Sequence, residues 1–189
     1  MRDGTRTRQI LERSALRLFV DKGIAQTTTR DIATAAGIAE GTLYRHFRGK
    51  DELAWRLFEA NFESLAGRLE AAIRDTKDCS SAIRAIVAEL CRMFDTERYA
   101  FRYVLVPQHN QSRNVTKLTK SPISVLRQVI ERGIASAEIS VTNPDLATAF
   151  ALGPVTQTAA AIIAKQLPGP MEQWQTQIST ATVRALGMR

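Results

Sequence analysis

Apolar residues recur along this chain at intervals of three and four positions, which is the spacing of one face of an α-helix. Proline and glycine, which interrupt helices, are sparse, with 6 and 10 among 189 residues. We therefore predict an all-α protein of about nine helices joined by short connections. The predicted helices span residues 5–21, 29–36, 40–47, 50–74, 80–95, 97–106, 122–137 and 145–165, and a last one begins near residue 171.

The two short helices at residues 29–36 and 40–47 have the order and spacing of a helix-turn-helix. Gly37 stands at the turn between them. Ala33 is the small residue needed where the two helices meet, and Ile38 is the apolar anchor after the turn. The pattern predicts a small N-terminal module whose second helix is presented to a partner.

The faces of this module follow from its side chains. Thr28 is predicted to cap the first short helix, with Asp31 returning the hydrogen bond as a capping box. Leu43 and Phe47, four residues apart, give the second short helix an inward face. The residues left to face outward on the second helix are Glu40, Gly41, Thr42, Tyr44, Arg45 and His46.

Positive charge is concentrated in the first quarter of the chain. The net charge is +7, and residues 1–50 carry ten Lys or Arg and five Asp or Glu, whereas residues 51–189 carry sixteen and fourteen. This asymmetry indicates a basic module on a nearly neutral helical body, with nucleic acid as the leading partner and an acidic membrane surface behind it. On charge alone, a solvated basic face is the alternative.

Other function classes lack the residues that they need. The two cysteines, Cys79 and Cys91, and the two histidines are too few for a zinc site or a disulfide framework, so we expect no metal and no cofactor. The motifs HExxH, GxSxG and GxGxxG are absent, and we do not expect an enzyme. No signal-peptide pattern occurs, and no stretch approaches the roughly 18 apolar residues of a membrane span, so we expect a cytoplasmic protein without membrane contact.

The basic module contains Thr-Thr-Arg-Asp-Ile-Ala at 28–33, Ala-Gly-Ile at 36–38, Gly-Thr-Leu-Tyr at 41–44, His-Phe at 46–47 and Lys-Asp-Glu-Leu at 50–53. Together these motifs resemble the DNA-binding domain of the tetracycline-repressor (TetR) family, over roughly residues 10–58. The sequence departs from the family pattern at Ala39 and Gly49, where a capping serine is usual. Ala39 is expected to weaken the start of the recognition helix by ~1 kcal/mol.

Four outward residues are candidates for reading bases. The guanidinium of Arg45 can bond both O6 and N7 of a guanine, although a surface ion pair with Asp51 or Glu52 is the alternative. Thr42 can place its methyl group on a thymine or its hydroxyl on a phosphate. Glu40 can accept a hydrogen bond from a cytosine amino group or can be simply solvated, and Gly41 lets the backbone approach the DNA.

Phosphate contacts are expected from five further residues, namely Thr28, Arg30, Tyr44, His46 and Lys50. For His46 a helix-packing role is the alternative. Such contacts fix the register of the protein on the duplex more than they select a sequence.

The resemblance divides the chain into a DNA-binding domain over residues 1–49 and a ligand-binding and dimerisation domain over residues 50–189. It implies a homodimer in which the last two helices of each subunit pair as a four-helix bundle, although an internal core stripe is the alternative for each residue named. The interface candidates are Leu152, Val155, Ala159, Ile163, Trp174, Ile178 and Ala185.

The resemblance also implies a pocket for a small molecule among the middle helices, although aromatic residues at helical spacing are more often core. The candidates to line it are Phe62, Met93, Phe94, Phe101, Arg102, Tyr103, His109, Gln128 and Gln157.

These expectations combine into a homodimeric transcriptional regulator, a repressor that binds an inverted-repeat operator in double-stranded DNA and is released by a small-molecule effector. The alternative is a basic helical adaptor that binds acidic partners without recognising a DNA sequence.

Overall fold

A computed structural model describes residues 2–105 and 121–188 of the chain. The predicted all-α class is confirmed, since these residues form nine α-helices, one short 3-10 helix and no strand. The polar segment that contains His109 lies outside the described residues. The helices are α1 Arg2–Lys22, α2 Thr29–Ala36, α3 Glu40–Tyr44, α4 Lys50–Ile73, α5 Cys79–Thr96, α6 Arg98–Leu105, α7 Pro122–Ala135, α8 Pro144–Ile163, the 3-10 helix Met171–Trp174 and α9 Gln175–Ala185.

The described residues form two compact units. The first contains residues 2–61 and 102–105, and the second contains residues 62–101 and 121–188. Helices α4 and α6 each have residues in both units. The predicted domain boundary at residue 50 stays a prediction.

The core of the first unit packs α1 against α2 and α2 against α3. Leu11 and Phe19 of α1, Ile32 of α2 and Leu43 of α3 are fully buried. Removing such a side chain from water stabilises the fold by about 1.5–3 kcal/mol. Because Leu43 faces this core, the remaining side chains of α3 are directed away from it.

Local signals fix both ends of α2. The hydroxyl of Thr28 accepts a hydrogen bond from the backbone N–H of Asp31 at 3.0 Å, and the Asp31 carboxylate accepts one from the N–H of Thr28 at 2.9 Å. The predicted capping box is therefore confirmed. At the other end Gly37 has φ 68°, a left-handed conformation that favours glycine. The N–H of Ile38 then donates to the carbonyl of Ala33 at 3.0 Å, which closes the helix.

Helix α3 is shorter than the sequence predicts. It ends at Tyr44, three residues before the expected end at Phe47. The backbone N–H groups of His46 and Phe47 both donate to the carbonyl of Leu43 at 2.9 Å, so the chain tightens into a turn. Phe47 is still buried, as predicted for the inward face.

In the second unit α5 packs against α7, α8, α9 and the 3-10 helix. Its apolar face, including Ile83, Val87 and Leu90, is buried. Asp95 near its end accepts hydrogen bonds from the N–H groups of Met171 at 2.8 Å and Glu172 at 2.9 Å, which satisfies the first turn of the 3-10 helix.

Helix α8 is apolar on almost every face. By length and composition alone it is long and apolar enough to cross a membrane, so the expectation that no stretch reaches that length is wrong for α8. It packs against α7 and α9.

Three of the predicted interface residues lie in the core of a single chain. Val155 and Ala159 of α8 have no exposed surface, and Ile178 of α9 is 4% exposed. These three side chains expose at most 4% of their surface, as an internal core stripe predicts, and their part in a dimer interface stays a prediction. Leu152, Ile163 and Trp174 are half-buried, and Ala185 is exposed.

Candidate nucleic-acid interface

The outward face of α3 carries the predicted recognition residues. Glu40, Gly41, Tyr44 and Arg45 are exposed, and Tyr44 exposes 54% of its surface. Thr42 is half-buried on the same helix. The buried side chain of Leu43 fixes this orientation, so the structure brings the predicted base-reading residues together on one short helix.

Arg45, which directly follows α3, is held by a side chain of that helix. Its Nη2 donates a hydrogen bond to the hydroxyl of Thr42 at 3.1 Å. Of the two acidic partners suggested for it by the sequence, Glu52 instead accepts from the backbone N–H of Arg48 at 2.6 Å and pairs with Arg56 at 2.9 Å. Among the described residues Arg45 makes no ion pair, which leaves most of its five N–H donors for a base or phosphate.

Glu40 is joined to α2 through Thr29, a residue that the sequence analysis did not select. The Thr29 hydroxyl donates to the Glu40 carboxylate at 2.7 Å. Since a hydroxyl has one proton, the 3.3 Å contact between Tyr44 and Thr29 has the Tyr44 O–H as its donor. The donor expected for a phosphate contact by Tyr44 is thus directed at Thr29. The sequence pattern does not reveal this contact, because Thr29 belongs to α2 whereas Glu40 and Tyr44 belong to α3.

The start of α2 holds two of the residues that are predicted to contact phosphate, Thr28 and Arg30. Thr28 uses an oxygen lone pair for its cap, so its hydroxyl proton can still be donated to a phosphate. Arg30 is exposed two positions further along the chain, and the first-turn N–H groups that the cap does not use have no acceptor within the helix. The capping hydrogen bonds from Thr28, aided by the charge of Lys22, hold the pKa of Asp31 below its usual value.

Lys50 contacts the connection between α1 and α2. Its ammonium group donates to the carbonyls of Ile24 at 3.0 Å, Ala25 at 3.1 Å and Thr27 at 2.9 Å. An ammonium has three protons, and all three are used here. In this arrangement Lys50 fixes the connection between α1 and α2. Its predicted phosphate contact stays a prediction.

His46 and Gly41 are the two remaining residues that the sequence predicts to contact DNA. His46 is half-buried and lies beside Phe47, with ring centroids 6.4 Å apart. Arg8, which the sequence analysis did not select, covers the Phe47 ring at 5.5 Å and also pairs with Glu12 at 2.9 Å. A Cβ added at Gly41 would meet nothing within 4 Å, so any need for glycine there comes from bound DNA.

Ala39 precedes α3 without a capping side chain. It has the extended conformation of an N-cap, with φ −67° and ψ 140°, but makes no side-chain hydrogen bond to the helix. The expected loss of a cap is confirmed, and α3 depends on its buried residues for stability.

The predicted pocket residues of the second unit are closely packed. Phe62, Met93, Phe94 and Phe101 are each at most 3% exposed. Phe94 and Phe101 make an edge-to-face contact with centroids 5.2 Å apart. These four residues are core residues in this conformation, and their role in ligand binding stays a prediction.

The other predicted pocket residues lie elsewhere. In the first unit, Arg102 donates to Asp21 at 3.2 Å, and the Tyr103 hydroxyl donates to the carbonyl of Ala54 at 2.9 Å. In the second unit, Gln128 and Gln157 are exposed. The assignment of these residues to a ligand pocket stays a prediction.

The second unit also contains an open, polar cleft of about 770 Å³. The start of α5, the α7–α8 connection and the end of the chain form its walls. It is lined by Asp78, Ser80, Ser81, Arg84, Ala137, Glu138, Ser140, Gly187 and Met188. In the part of the chain that the structure describes, no cluster of His, Cys, Asp and Glu could hold a metal ion.

Comparison with known proteins identifies the same N-terminal segment. Residues 10–57 match the family model described as bacterial regulatory proteins, tetR family. The HTH-type transcriptional repressor KstR2 of Rhodococcus jostii is 31% identical over 99 residues, which cover 52% of this chain and 48% of that protein. The chain thus spans about half the length of this relative.

Solved structures match nearly the whole chain. A TetR family transcription regulator from Marinobacter aquaeolei aligns with a TM-score of 0.80, 20% identity and complete coverage of both chains. The regulator FadR from Bacillus subtilis, solved in complex with stearoyl-CoA, aligns with a TM-score of 0.78 and 18% identity over 94% of this chain and 98% of that one. At these identities the likeness establishes the fold alone.

Proposed function

Because the chain belongs to the tetR family of bacterial regulatory proteins, we propose that it is a transcriptional regulator that binds a specific sequence in double-stranded DNA. The observation that carries the proposal is the outward face of α3, where Arg45 is exposed and held by Thr42 at 3.1 Å. An arginine held in this way can present its planar fork to a guanine in the major groove. Thr28 and Arg30 would add phosphate contacts that set the register.

The competing proposal, a basic adaptor for acidic partners, predicts binding that ignores DNA sequence. The experiment is a titration at physiological salt against random duplexes and against duplexes recovered from that pool by repeated selection. A sequence-specific regulator should bind the recovered duplexes about 10³-fold or more tightly than the random ones. Equal, strongly salt-dependent affinity for both sets would favour the adaptor.

We propose a homodimer formed through the exposed face of α8, in place of the buried residues that the sequence selected. Leu146 is 47% exposed and Phe150 is 40% exposed on this helix. From Leu146 to Ala164 the sequence contains no charged residue. An uncharged, apolar surface of this length favours contact with an identical surface on a second copy.

A two-fold dimer would present two copies of α3 to one duplex, so we propose an inverted-repeat operator. Each recognition helix would occupy a major groove, and the half-site centres would lie about one helical turn, 10–10.5 base pairs, or a multiple of it apart.

We further propose that the protein is a repressor released by a small-molecule effector bound in the second unit. Since Phe94 and Phe101 are in contact in the present conformation, an effector among them would have to separate their rings. Stearoyl-CoA, the compound in the FadR complex, is the first candidate to test. The test adds it to the protein on its selected operator, with unacylated CoA as the control, and expects a roughly 5- to 150-fold loss of affinity.

A further inference from the structure

Glu40 is an unexpected residue for a surface that faces DNA. It is an exposed carboxylate on α3, where a phosphate backbone would repel its charge. One of its oxygens accepts a hydrogen bond from the hydroxyl of Thr29 at 2.7 Å. Its second oxygen has no hydrogen-bond partner within residues 2–105 and 121–188.

The chemistry of a carboxylate restricts what this second oxygen can recognise. An ionised carboxylate only accepts hydrogen bonds. In the major groove only cytosine N4 and adenine N6 donate, whereas guanine O6 and N7 and thymine O4 accept. Adenine also places its N7 acceptor beside the amino group, where it repels an approaching carboxylate. Cytosine is therefore the base that a single oxygen of Glu40 fits best.

Thr29 determines where that oxygen lies. Glutamate has three rotatable side-chain bonds, and a free Glu40 could turn toward solvent and lose its selectivity. The hydroxyl of Thr29 on α2 restrains it, and the Tyr44 O–H restrains the hydroxyl in turn at 3.3 Å. The burial of Leu43 and Phe47 already fixes α3 on the domain, and an exposed hydrogen bond adds little to folding.

We infer that Thr29 is a positioning residue for base recognition, which holds the Glu40 carboxylate so that its second oxygen accepts a hydrogen bond from the amino group of a cytosine. The inference rests on the proposed DNA-binding function. It adds a cytosine, selected by Glu40, to the guanine that Arg45 is proposed to bind.

The experiment compares five forms of the full chain on the operator selected by the wild-type protein. Each operator position is changed to every other base pair, and affinities are measured by competition. Thr29→Val removes the hydroxyl and keeps the shape, Thr29→Ser restores the hydroxyl, and Glu40→Gln replaces the carboxylate by an amide that also donates. Thr34→Val makes the same change as Thr29→Val at an exposed position of α2. Thermal unfolding checks that all forms fold.

The wild-type protein should prefer cytosine over thymine at one half-site position by roughly tenfold. Thr29→Val frees the carboxylate, and Glu40→Gln gives an amide that can also donate to acceptor bases, so both should reduce this preference to about twofold or less. Both should leave the preference at the Arg45 position intact, since neither changes Arg45. Thr29→Ser and Thr34→Val should keep the wild-type profile. A purely structural role for Thr29 would instead lower affinity for every sequence alike.

Two results overturn the inference in distinguishable ways. If the wild-type protein selects a sequence but Thr29→Val keeps every base preference, Thr29 does not position Glu40 and the proposed DNA-binding function stands. If the wild-type protein selects no sequence at all, the proposed function fails and the inference fails with it.

Discussion

Lys50 at the start of α4 donates a hydrogen bond to the carbonyl of Ile24, which precedes it by 26 positions in the sequence and lies 3.0 Å from its ammonium nitrogen. Two further carbonyls, those of Ala25 and Thr27, complete the coordination of the ammonium group. These carbonyls lie between α1 and α2, where no helix supplies them with donors. Lys50 therefore stabilises the connection that places α2 and α3.

Replacing Lys50 with Met, which keeps the alkyl chain and removes the charge, should lower the free energy of unfolding by about 2 kcal/mol because three carbonyls lose a charged donor. Urea unfolding measures this directly. The same variant should leave the salt dependence of DNA binding unchanged. A variant with wild-type stability, and with a salt slope shallower by about one phosphate contact, would show that Lys50 binds DNA instead.

Arg45→Ala should remove the base preference at one half-site position at a cost of about 1–3 kcal/mol in binding free energy, because a bidentate contact to guanine is lost. Competition between operator variants measures this preference. Arg74→Ala, an exposed arginine at the end of α4, removes the same charge and should keep all base preferences. Unchanged preferences in Arg45→Ala would mean that the recognition surface is assigned to the wrong residue.

The Asp31 capping bond should make stability depend on pH. The pKa of Asp31 is lowered in the folded protein, chiefly by the hydrogen bonds from Thr28. The stabilisation that ionised Asp31 provides is therefore fully present above its unfolded pKa of about 4. It is lost as the pH falls through the lower pKa of the folded state.

Asp31→Asn should reduce the loss of unfolding free energy as the solution is acidified. Urea unfolding from about pH 5 to about pH 2 measures this acid limb of the stability profile. Asp75→Asn, at an exposed position outside any helix cap, is the matched control and should keep the wild-type limb. An Asp31→Asn profile that overlays the wild-type one would contradict the linkage.

Both cysteines should resist thiol reagents while the protein is folded. Burial raises the pKa of Cys79 to about 11, assisted by Glu138, and that of Cys91 to about 12, assisted by Asp95. At pH 8 about one Cys79 thiol in a thousand would be ionised, and access is blocked as well. Labelling with an aromatic disulfide reagent should be slow in buffer and rapid in denaturant; rapid labelling of both thiols in buffer would contradict the packing around α5.

Phe150→Glu should convert the proposed dimer into a monomer, since it places a charge on the exposed face of α8. Sedimentation velocity measures the change in mass. Ile10→Glu makes a similar change at a residue of α1 that is 38% exposed, and it should leave the dimer intact. A dimeric Phe150→Glu protein would place the interface on another surface.

Local signals allowed the helix-turn-helix to be predicted well. Thr28, Asp31 and Gly37 act on backbone groups within four residues of themselves, so α2 begins and ends where the sequence predicts. No such signal marks the end of α3. Residues 45–48 follow Tyr44 without a glycine or proline, and the turn that they form depends on how Phe47 packs into the core.

Contacts between distant positions were the part that the sequence could not supply. Two sets of hydrogen bonds form only in the folded chain. Lys50 donates to carbonyls 23–26 residues away, and Thr29 donates to Glu40. On α8 the periodicity itself is uninformative. Since the helix is apolar on almost every face, Val155 fits an interface stripe as well as a core stripe until its burial is known.

The central claim, that α3 recognises DNA sequence as half of a two-fold dimer, is tested most directly by the base composition of duplexes selected from a random pool at physiological salt. The account predicts an inverted repeat whose half-site centres lie about 10–10.5 base pairs, or a multiple of that spacing, apart. Recovery of duplexes without a common sequence, bound weakly and released by moderate salt, would contradict it.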